Sequence, residues 1–435
     1  MSARLTEADL VASYDAYHSP RERWLVGGEY ERAMVYGDGR AVGYHDEHGI
    51  HWLLDRLQAR LGWKAKHEGP WPIELRGEGA SITLEPGGQV ELSGAPFRRL
   101  GDLAAEVRRN REALYACVEG LDQHWIACGL HPYARIDEIR FVPKGRYAVM
   151  GDFLPRYGDL AHWMMKGTCC VQANFDYESE EDCAAKFHAS LDLAPLNVAL
   201  FANSPLAEGK ETRWMSYRGH IWTRVDPRRT GFPPGVRDGY THAGWIAYLL
   251  DCPMMFYMRD GQWAHAEGRT FRDWMDQGID GCFPTADDWA LHQTSVFPEV
   301  RVKRTIEIRS ADAVPIDLSI AFCALWTGLL YGALADARTL ATSFREAGGN
   351  VPVELRFAAA ARNGLEGDYG GRRYAHWAAE LCAVARRGLV TLGEDASLLD
   401  PLDALVATGR SPAARLLDAF RADPSPRNVL AVAAY

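Results

Sequence analysis

Ser81-Ile82-Thr83-Leu84-Glu85-Pro86-Gly87-Gly88-Gln89-Val90-Glu91-Leu92-Ser93 decides the fold class. On both sides of Pro86-Gly87-Gly88 apolar and polar residues alternate, the period-2 pattern of half-buried β-strands, so the stretch reads as an antiparallel hairpin closed by a short loop. Ile82, Leu84, Val90 and Leu92 then share an apolar face, while Glu85 and Glu91 belong to the other. The design recurs along the chain. Val26-Gly27-Gly28-Glu29-Tyr30-Glu31 puts Glu29 and Glu31 on one side, and Cys170-Val171-Gln172-Ala173-Asn174-Phe175-Asp176 does the same for Cys170, Gln172 and Asn174. A further run, Glu299-Val300-Arg301-Val302-Lys303, continues through Ile306-Glu307-Ile308-Arg309.

If these strands share one sheet, Glu29, Glu85, Glu91 and Glu307 form an acidic wall. Charged alternation is also how any sheet with one face in water looks. Two readings therefore stand, a solvated face and a site. Gln172 and Asn174 lean toward the site, because Asn is depleted from strands without a local use. Converging carboxylates repel and need a counter-charge, and hard oxygen ligands of this kind suit Mg²⁺ or Mn²⁺.

With 435 residues and 47% hydrophobic content the chain can bury a large core, and length alone suggests two or three domains. No linker, repeat or low-complexity tract supports a split. The expectation is an α+β core over residues 1–310 and a helical region over 311–435, packed together as one unit. A net charge of −10 without a basic cluster argues against a nucleic-acid partner. The first residues lack the apolar stretch of a signal peptide and no run of 18 apolar residues occurs, which leads to the expectation of a soluble cytoplasmic protein without membrane contact. None of the nine cysteines falls in a Cys-x-x-Cys pair, so they read as small buried hydrophobes, with Cys169-Cys170 beside the polar face as the exception. His45, His48 and His51 crowd one loop, where metal binding and ordinary packing both remain open.

Helices fill the rest. Leu100 to Cys128 carries apolar residues at helical spacing, Ser179-Glu180-Glu181-Asp182 is an acidic helix start leading to Phe201, and beyond Ala311 helical patterns run over 316–346, 374–387 and 413–422.

Longer blocks resemble a known family. Gly28-Glu29-Tyr30-Glu31, the stretch from Leu84 to Pro96, Pro143-Lys144-Gly145-Arg146-Tyr147, Thr168 to Asp176, Leu200 to Pro205, Ser216-Tyr217-Arg218-Gly219-His220-Ile221-Trp222 and Phe297-Pro298-Glu299-Val300-Arg301 are similar, in order, to the plant and proteobacterial type of glutamate–cysteine ligase. The resemblance implies a glutamine-synthetase-like fold, an antiparallel sheet curled into a funnel with flanking helices. It also implies ATP as co-substrate and two or three Mg²⁺ ions, with Mn²⁺ as a substitute. Glutamate and cysteine would be the small-molecule partners of a monomer or homodimer. In that chemistry ATP converts the γ-carboxylate of glutamate to an acyl phosphate, which the amine attacks with loss of phosphate.

Carried over position by position, Glu29, Glu31, Glu85, Glu91 and Glu307 match the metal-binding carboxylates, and Gln172 another metal-facing ligand. Arg218 matches the arginine that grips the α-carboxylate of glutamate, a task suited to a planar, permanently charged fork. Arg146, Tyr147, Cys170 and Asn174 are expected beside substrate. Arg301, Lys303 and Arg309 share the face of Glu307 and either contact the phosphates or salt-bridge the acids. Four departures stand out. Ala266 replaces one cysteine of the plant hairpin disulfide while Cys282 keeps the other, Cys170 stands where the family usually carries Thr, Gly219 replaces a Ser, and Thr223-Arg224-Val225-Asp226 replaces a more acidic run. The last three are expected to flank the substrate site and to bear on the amine acceptor, so a γ-glutamyl ligase for another amine stays open. A non-catalytic sensor is the third reading. Retention of five Glu and Arg218 speaks against it, and no phosphate-binding Gly-x-x-x-x-Gly-Lys loop offers a rival nucleotide site.

Overall fold

The computed structural model describes residues 4–237 and 239–435. Its main sheet has nine strands: β1 Val26–Tyr36, β2 Lys64–Glu68, β3 Trp71–Gly77, β4 Ala80–Leu84, β5 Val90–Ser93, β6 Gln123–Ile126, β7 Cys170–Phe175, β8 Val300–Val302 and β9 Ile306–Asp312. They run in the order β8-β9-β7-β1-β5-β4-β3-β2, with β6 beside the far half of β1, and every neighbouring pair is antiparallel. The helices that shape the molecule are α1 Glu7–Asp15, α2 Ile50–Leu61, α3 Leu100–Val118, α4 Gly145–Phe153, α5 Glu180–Leu200, α6 Tyr217–Trp222, α7 His242–Asp251, α8 Ile316–Thr327, α9 Leu334–Ala347, α10 Val353–Asn363, α11 Tyr374–Leu392 and α12 Pro412–Ala422.

Register turns the alternation into two chemically distinct faces. Tyr30, Leu92, Ile82 and Leu75 lie opposite one another across β1, β5, β4 and β3, and each is at most 1% exposed. α2 and α3 cover this side, and α8 joins them against β1 and β7, where the Tyr30 hydroxyl meets Cys323 Sγ at 3.3 Å. Each such side chain contributes roughly 1.5–3 kcal/mol by leaving water. A one-residue slip would send the whole apolar row to the other face, so burial fixes where the acids point. On that opposite face Glu31 pairs with Glu91, Glu91 with Thr83, Glu29 with Gln172, and Glu307 stands between Arg301 and Asn174.

Several elements differ from the expected pattern. The helix expected over Leu100 to Cys128 ends at Val118; Gly120 turns the chain at φ +80°, and Gln123–Ile126 returns as a strand on β1. β2 and β3 lie outside the expected set, although Ile73-Glu74-Leu75-Arg76 alternates; Pro72 and the register shift between Lys66 and His67 mask the pattern. The single helix expected over 316–346 is two. α8 runs into a widened turn at Gly328–Gly332, and α9 leaves at 105°. Here the backbone packs directly on α11, where a Cβ built on Gly388 would stand 1.9 Å from the Gly328 carbonyl oxygen, so any side chain would push the helices apart. Among the described residues no single helix is long and apolar enough to cross a membrane. β9 passes without a break across residues 310 and 311, while α5 packs against α9, α10 and α11. All nine cysteines are free; Cys282 is exposed and Ala266 buried. His45 and His51 pack on Tyr44 and Trp71, and His48 on Trp52.

The β4–β5 loop holds Gly88 at φ +91°, with the Glu85 amide donating to the Gln89 carbonyl at 2.8 Å and the Gly88 amide to the Glu85 carbonyl at 2.9 Å. Gly88→Ala should therefore cost about 1–2 kcal/mol in urea unfolding. Gly101→Ala, in α3 with open space around the added carbon, should instead stabilise by about 0.5 kcal/mol. Equal effects would show that the loop tolerates a side chain there.

Candidate active site

A cavity of about 600 Å³ opens on the polar face of the sheet, and Glu29, Glu31, Glu85, Glu91, Gln172, Arg146, Tyr147, Arg301 and Arg309 all line it. β1, β5, β7, β8 and β9, which the sequence scatters over some 280 residues, deliver most of these groups side by side. Each acid has its own support. Asn174 Nδ2 donates to Glu29 at 2.9 Å; the Cys170 amide and thiol donate to Glu31 at 2.8 and 3.0 Å; Ser93 Oγ donates to Glu91 at 2.5 Å. Glu85 sits at the first position of the loop closed by Gly88.

These donors do not balance the charge. Burial first, then Glu307 and Glu91, lifts Glu29 from 4.5 to about 7. Burial, then Glu85 and Glu91, lifts Glu31 to about 8, and Glu91 is raised for the same leading reason. A cluster of hard oxygen donors carrying this much uncompensated negative charge fits divalent cations such as Mg²⁺; Gln172 stands among them, its Oε1 accepting from Arg309 and its Nε2 facing Glu31 at 3.4 Å.

Glu307 is the counterpart. It is 0% exposed and holds Arg301 bidentately at 2.8 and 2.9 Å, Lys303 at 3.1 Å, and Arg309, which also bonds Gln172. These cations hold the Glu307 carboxyl well below the usual range although burial alone would raise it. Of the two roles open for the three cations, salt bridging is therefore present, and Arg301 and Arg309 reach the cavity as well.

Arg218 lies at the start of α6, 3% exposed, behind the cavity wall. Asp312 positions it indirectly: Ser204 and Ser216 each donate to this buried carboxylate at 2.7 Å, the Ser204 hydroxyl accepts the Arg218 amide at 3.0 Å, and Arg218 Nη2 donates to the Arg309 carbonyl at 3.1 Å. Its Nε has no partner, and neither has Arg146 Nε. Buried guanidinium donors left open are what an anionic ligand would satisfy.

Some expected contacts lie elsewhere. Cys170 and Asn174 do not line the cavity; their side chains are used up on Glu31 and Glu29. Tyr147 lines it, but its hydroxyl donates to the Leu84 carbonyl at 2.7 Å and pins the strand leading to Glu85. The Gly219 substitution has no bearing on the cavity, since a Cβ there would point at Ala361, Val198 and Ser216. Asp226, in the other departing run, is buried and bonded to Arg228 and Arg229. Unforeseen members are Glu74 and Thr83, legible from the alternation of β3 and β4, and Lys144, whose ammonium burial pushes down to about 8. Glu299 reads in the sequence only as part of a charged strand; it is buried near Arg218 and Arg309, and its carboxyl is raised to about 7 by burial.

Residues 25–430 match the family model described as Glutamate-cysteine ligase family 2. The chain belongs to this family. It is 36% identical to a chloroplastic glutamate–cysteine ligase of Nicotiana tabacum, over 96% of this chain and 80% of that protein, and 35% identical to chloroplastic glutamate–cysteine ligase A of Oryza sativa subsp. indica, over 97% and 86%. A crystal structure of a Francisella tularensis glutamate–cysteine ligase in complex with AMP shares the fold, with a TM-score of 0.57 at 14% identity, covering 94% of this chain and 87% of that one. The chloroplastic names of the relatives overturn the cytoplasmic expectation, because the lack of an apolar leader does not assign a compartment.

The raised carboxylates set a pH dependence. Glu29 and Glu31 bind more protons folded than unfolded, so their contribution to stability is complete below about 4.5 and is lost as pH climbs toward about 8. His131 and His292, which burial lowers from 6.5 to about 4, act with opposite sign only below 6.5. In chelator the unfolding midpoint should fall from pH 6.5 to 7.5, below the range near 8 where Lys144 and Lys186, both lowered by burial, act with opposite sign, and Glu31→Gln should flatten that slope. A flat or rising wild-type midpoint would mean that the acids are solvated.

Proposed function

We propose that this chain joins the γ-carboxyl of glutamate to the amine of L-cysteine with hydrolysis of ATP, giving γ-glutamylcysteine, the first step of glutathione synthesis. One observation carries the reading: four carboxylates and Gln172 converge on a single cavity that Arg301 and Arg309 also line. As an ATP-dependent carbon–nitrogen ligase the chain takes small-molecule substrates, and family chemistry of this kind generally uses a divalent metal.

Glu29, Glu31, Glu85 and Glu91, with Gln172, would hold two or three Mg²⁺ ions, which supply charge neutralisation and a template for the triphosphate. Glu307 joins them from below: its charge is felt by Glu29, and it fixes Arg301 and Arg309. Those two guanidiniums reach the cavity where negative charge builds up on the transferring phosphoryl group. Arg218, set just behind the cavity lining, is assigned to the α-carboxylate of glutamate through its open Nε, and Arg146, which lines the cavity, to orienting substrate. The glutamate γ-carboxylate oxygen attacks the γ-phosphorus and ADP leaves. The cysteine nitrogen then attacks the acyl carbon, and phosphate departs with the C–O electron pair.

Incubation with ATP, Mg²⁺, glutamate and a panel of amines should release phosphate with cysteine as the preferred acceptor and yield the mass of γ-glutamylcysteine; release without an amide product would defeat the assignment. Glu29→Gln keeps size but removes ligand charge, so turnover should fall at least about 100-fold with the circular dichroism unchanged. Arg218→Ala should raise the KM for glutamate about 30-fold, roughly 2 kcal/mol, and leave that for ATP nearly unmoved. Arg218→Lys should recover only part. Equal weakening toward all substrates would instead assign Arg218 to the fold.

A further inference from the structure

Beside the β8 edge of the sheet, α1 and α7 bring together three ligand-bearing side chains that the ligase reaction does not use. Asp15 ends α1, His18 follows it, and His242 is the first residue of α7; one donor atom from each lies within 4.8 Å of the others. His18 Nε2 and His242 Nε2 stand 3.1 Å apart, tip to tip, and Asp15 Oδ1 is 3.9 Å from His18 Nε2.

The His242 ring is fixed in place. It is 1% exposed, its Nδ1 lies 3.0 Å from the Tyr240 hydroxyl, and its backbone amide donates to Glu180 Oε1 at 2.6 Å. The rings of Tyr14 and Tyr177 stand 5.5 and 5.8 Å away. An imidazole held through Nδ1 by an outer partner and presenting Nε2 is the arrangement of a metal-bound histidine. Nitrogens about 2.0–2.1 Å from one tetrahedral ion lie roughly 3.3–3.4 Å apart. The observed 3.1 Å is about 0.2 Å short of that and corresponds to an N–metal–N angle of about 100°. Asp15, whose side chain is 59% exposed, closes on that spacing from 3.9 Å at His18 and from within 4.8 Å at His242, a swing of at most about 1.5 Å for an exposed side chain.

We propose that Asp15, His18 and His242 bind one borderline divalent transition-metal ion, with Zn²⁺ as the best fit and water in the fourth position. Two imidazoles and one carboxylate suit such an ion, whereas Mg²⁺ prefers an all-oxygen set, so this site and the acidic cavity select different metals. The ion has a structural consequence. The Tyr14 hydroxyl donates to Gln293 Oε1 at 2.6 Å and lies 3.2 Å from the Val302 carbonyl oxygen, to which Trp245 donates at 2.8 Å, so α1 and α7 together pack on the end of the strand that carries Arg301. A metal joining the two helices stiffens that edge without touching substrate.

The full chain, stripped with chelator and kept in excess Mg²⁺ to occupy the carboxylates, is titrated with Co²⁺ and then Zn²⁺. One equivalent of Co²⁺ should give the visible absorption of a tetrahedral site, Zn²⁺ should displace it, and the unfolding midpoint should rise by about 2 °C or more. His18→Gln should abolish both signals, and Asp15→Asn should weaken binding about 10-fold. Absence of the band in the wild type would overturn the proposal and leave a plain His18–His242 hydrogen bond. A band of equal strength in His18→Gln would overturn it too, by placing the ion elsewhere. Should His18→Gln fail to fold, unchanged affinity in the surface variant Asp15→Asn would overturn it in the same way.

Discussion

Glu31 faces Glu91 directly across β1 and β5, with Glu29 two residues away on the same side, and the protein is organised around keeping these like charges, Glu91 buried and the other two half-buried, in place. Facing residues in an antiparallel pair have Cβ atoms only about 4.5–5.5 Å apart, and two unit charges at 4 Å repel by about 4 kcal/mol at an effective dielectric of 20. Nothing in the polar face would hold that arrangement by itself. It is held from behind, by the apolar row Tyr30, Leu92, Ile82 and Leu75 and the helices packed on it, because moving the acids apart would require moving that row out of the core.

The same face is divided by charge. Acids gather on β1 and β5, while Arg301, Lys303 and Arg309 gather around Glu307 on β8 and β9, so the cavity has a negative floor and a positive side. Such a division suits a reaction that brings a metal-loaded triphosphate to an anionic amino acid: in the proposed reaction the floor would take the cations and the side the phosphoryl oxygens. Asp312 extends the logic outward, since one buried carboxylate gathers Ser204, Ser216 and Asn203 into the platform from which Arg218 projects. The amide and hydroxyl groups that support the acids, from Asn174, Cys170 and Ser93, orient them without neutralising them.

The hairpin from Ser81 to Ser93 and the face shared by Glu29 and Glu31 are legible in the sequence because strand alternation is local and each pair sits within one turn or one strand. That the four distant strands lie in one sheet is not local information; it comes from resemblance and is a matter of topology. The helix boundaries at Val118 and Thr327 escape the sequence for a related reason: Trp125 and Ile126 look equally at home in a helix or a strand, and the break at Gly328 lies where the backbone of α11 packs directly against it, a contact distant in sequence. Site residues are legible as types but not always as contacts. Cys170 and Asn174 belong to the polar face, as the alternation says, yet only the cross-strand register reveals that their nearest partners are acids rather than open space.

In the proposed site, Glu29 and Glu31 would stay protonated in part until divalent ions replace the protons. The direct measurement is the number of protons released per Mg²⁺ bound at pH 7, from titration calorimetry in two buffers of different ionisation enthalpy. With Glu29 near 7 and Glu31 near 8 in the metal-free protein, at least about one proton should leave as the site fills, and the number should shrink toward pH 9. Mg²⁺ binding with no proton release at pH 7 would contradict the account, because it would mean that the acids are already ionised and paired without the metal.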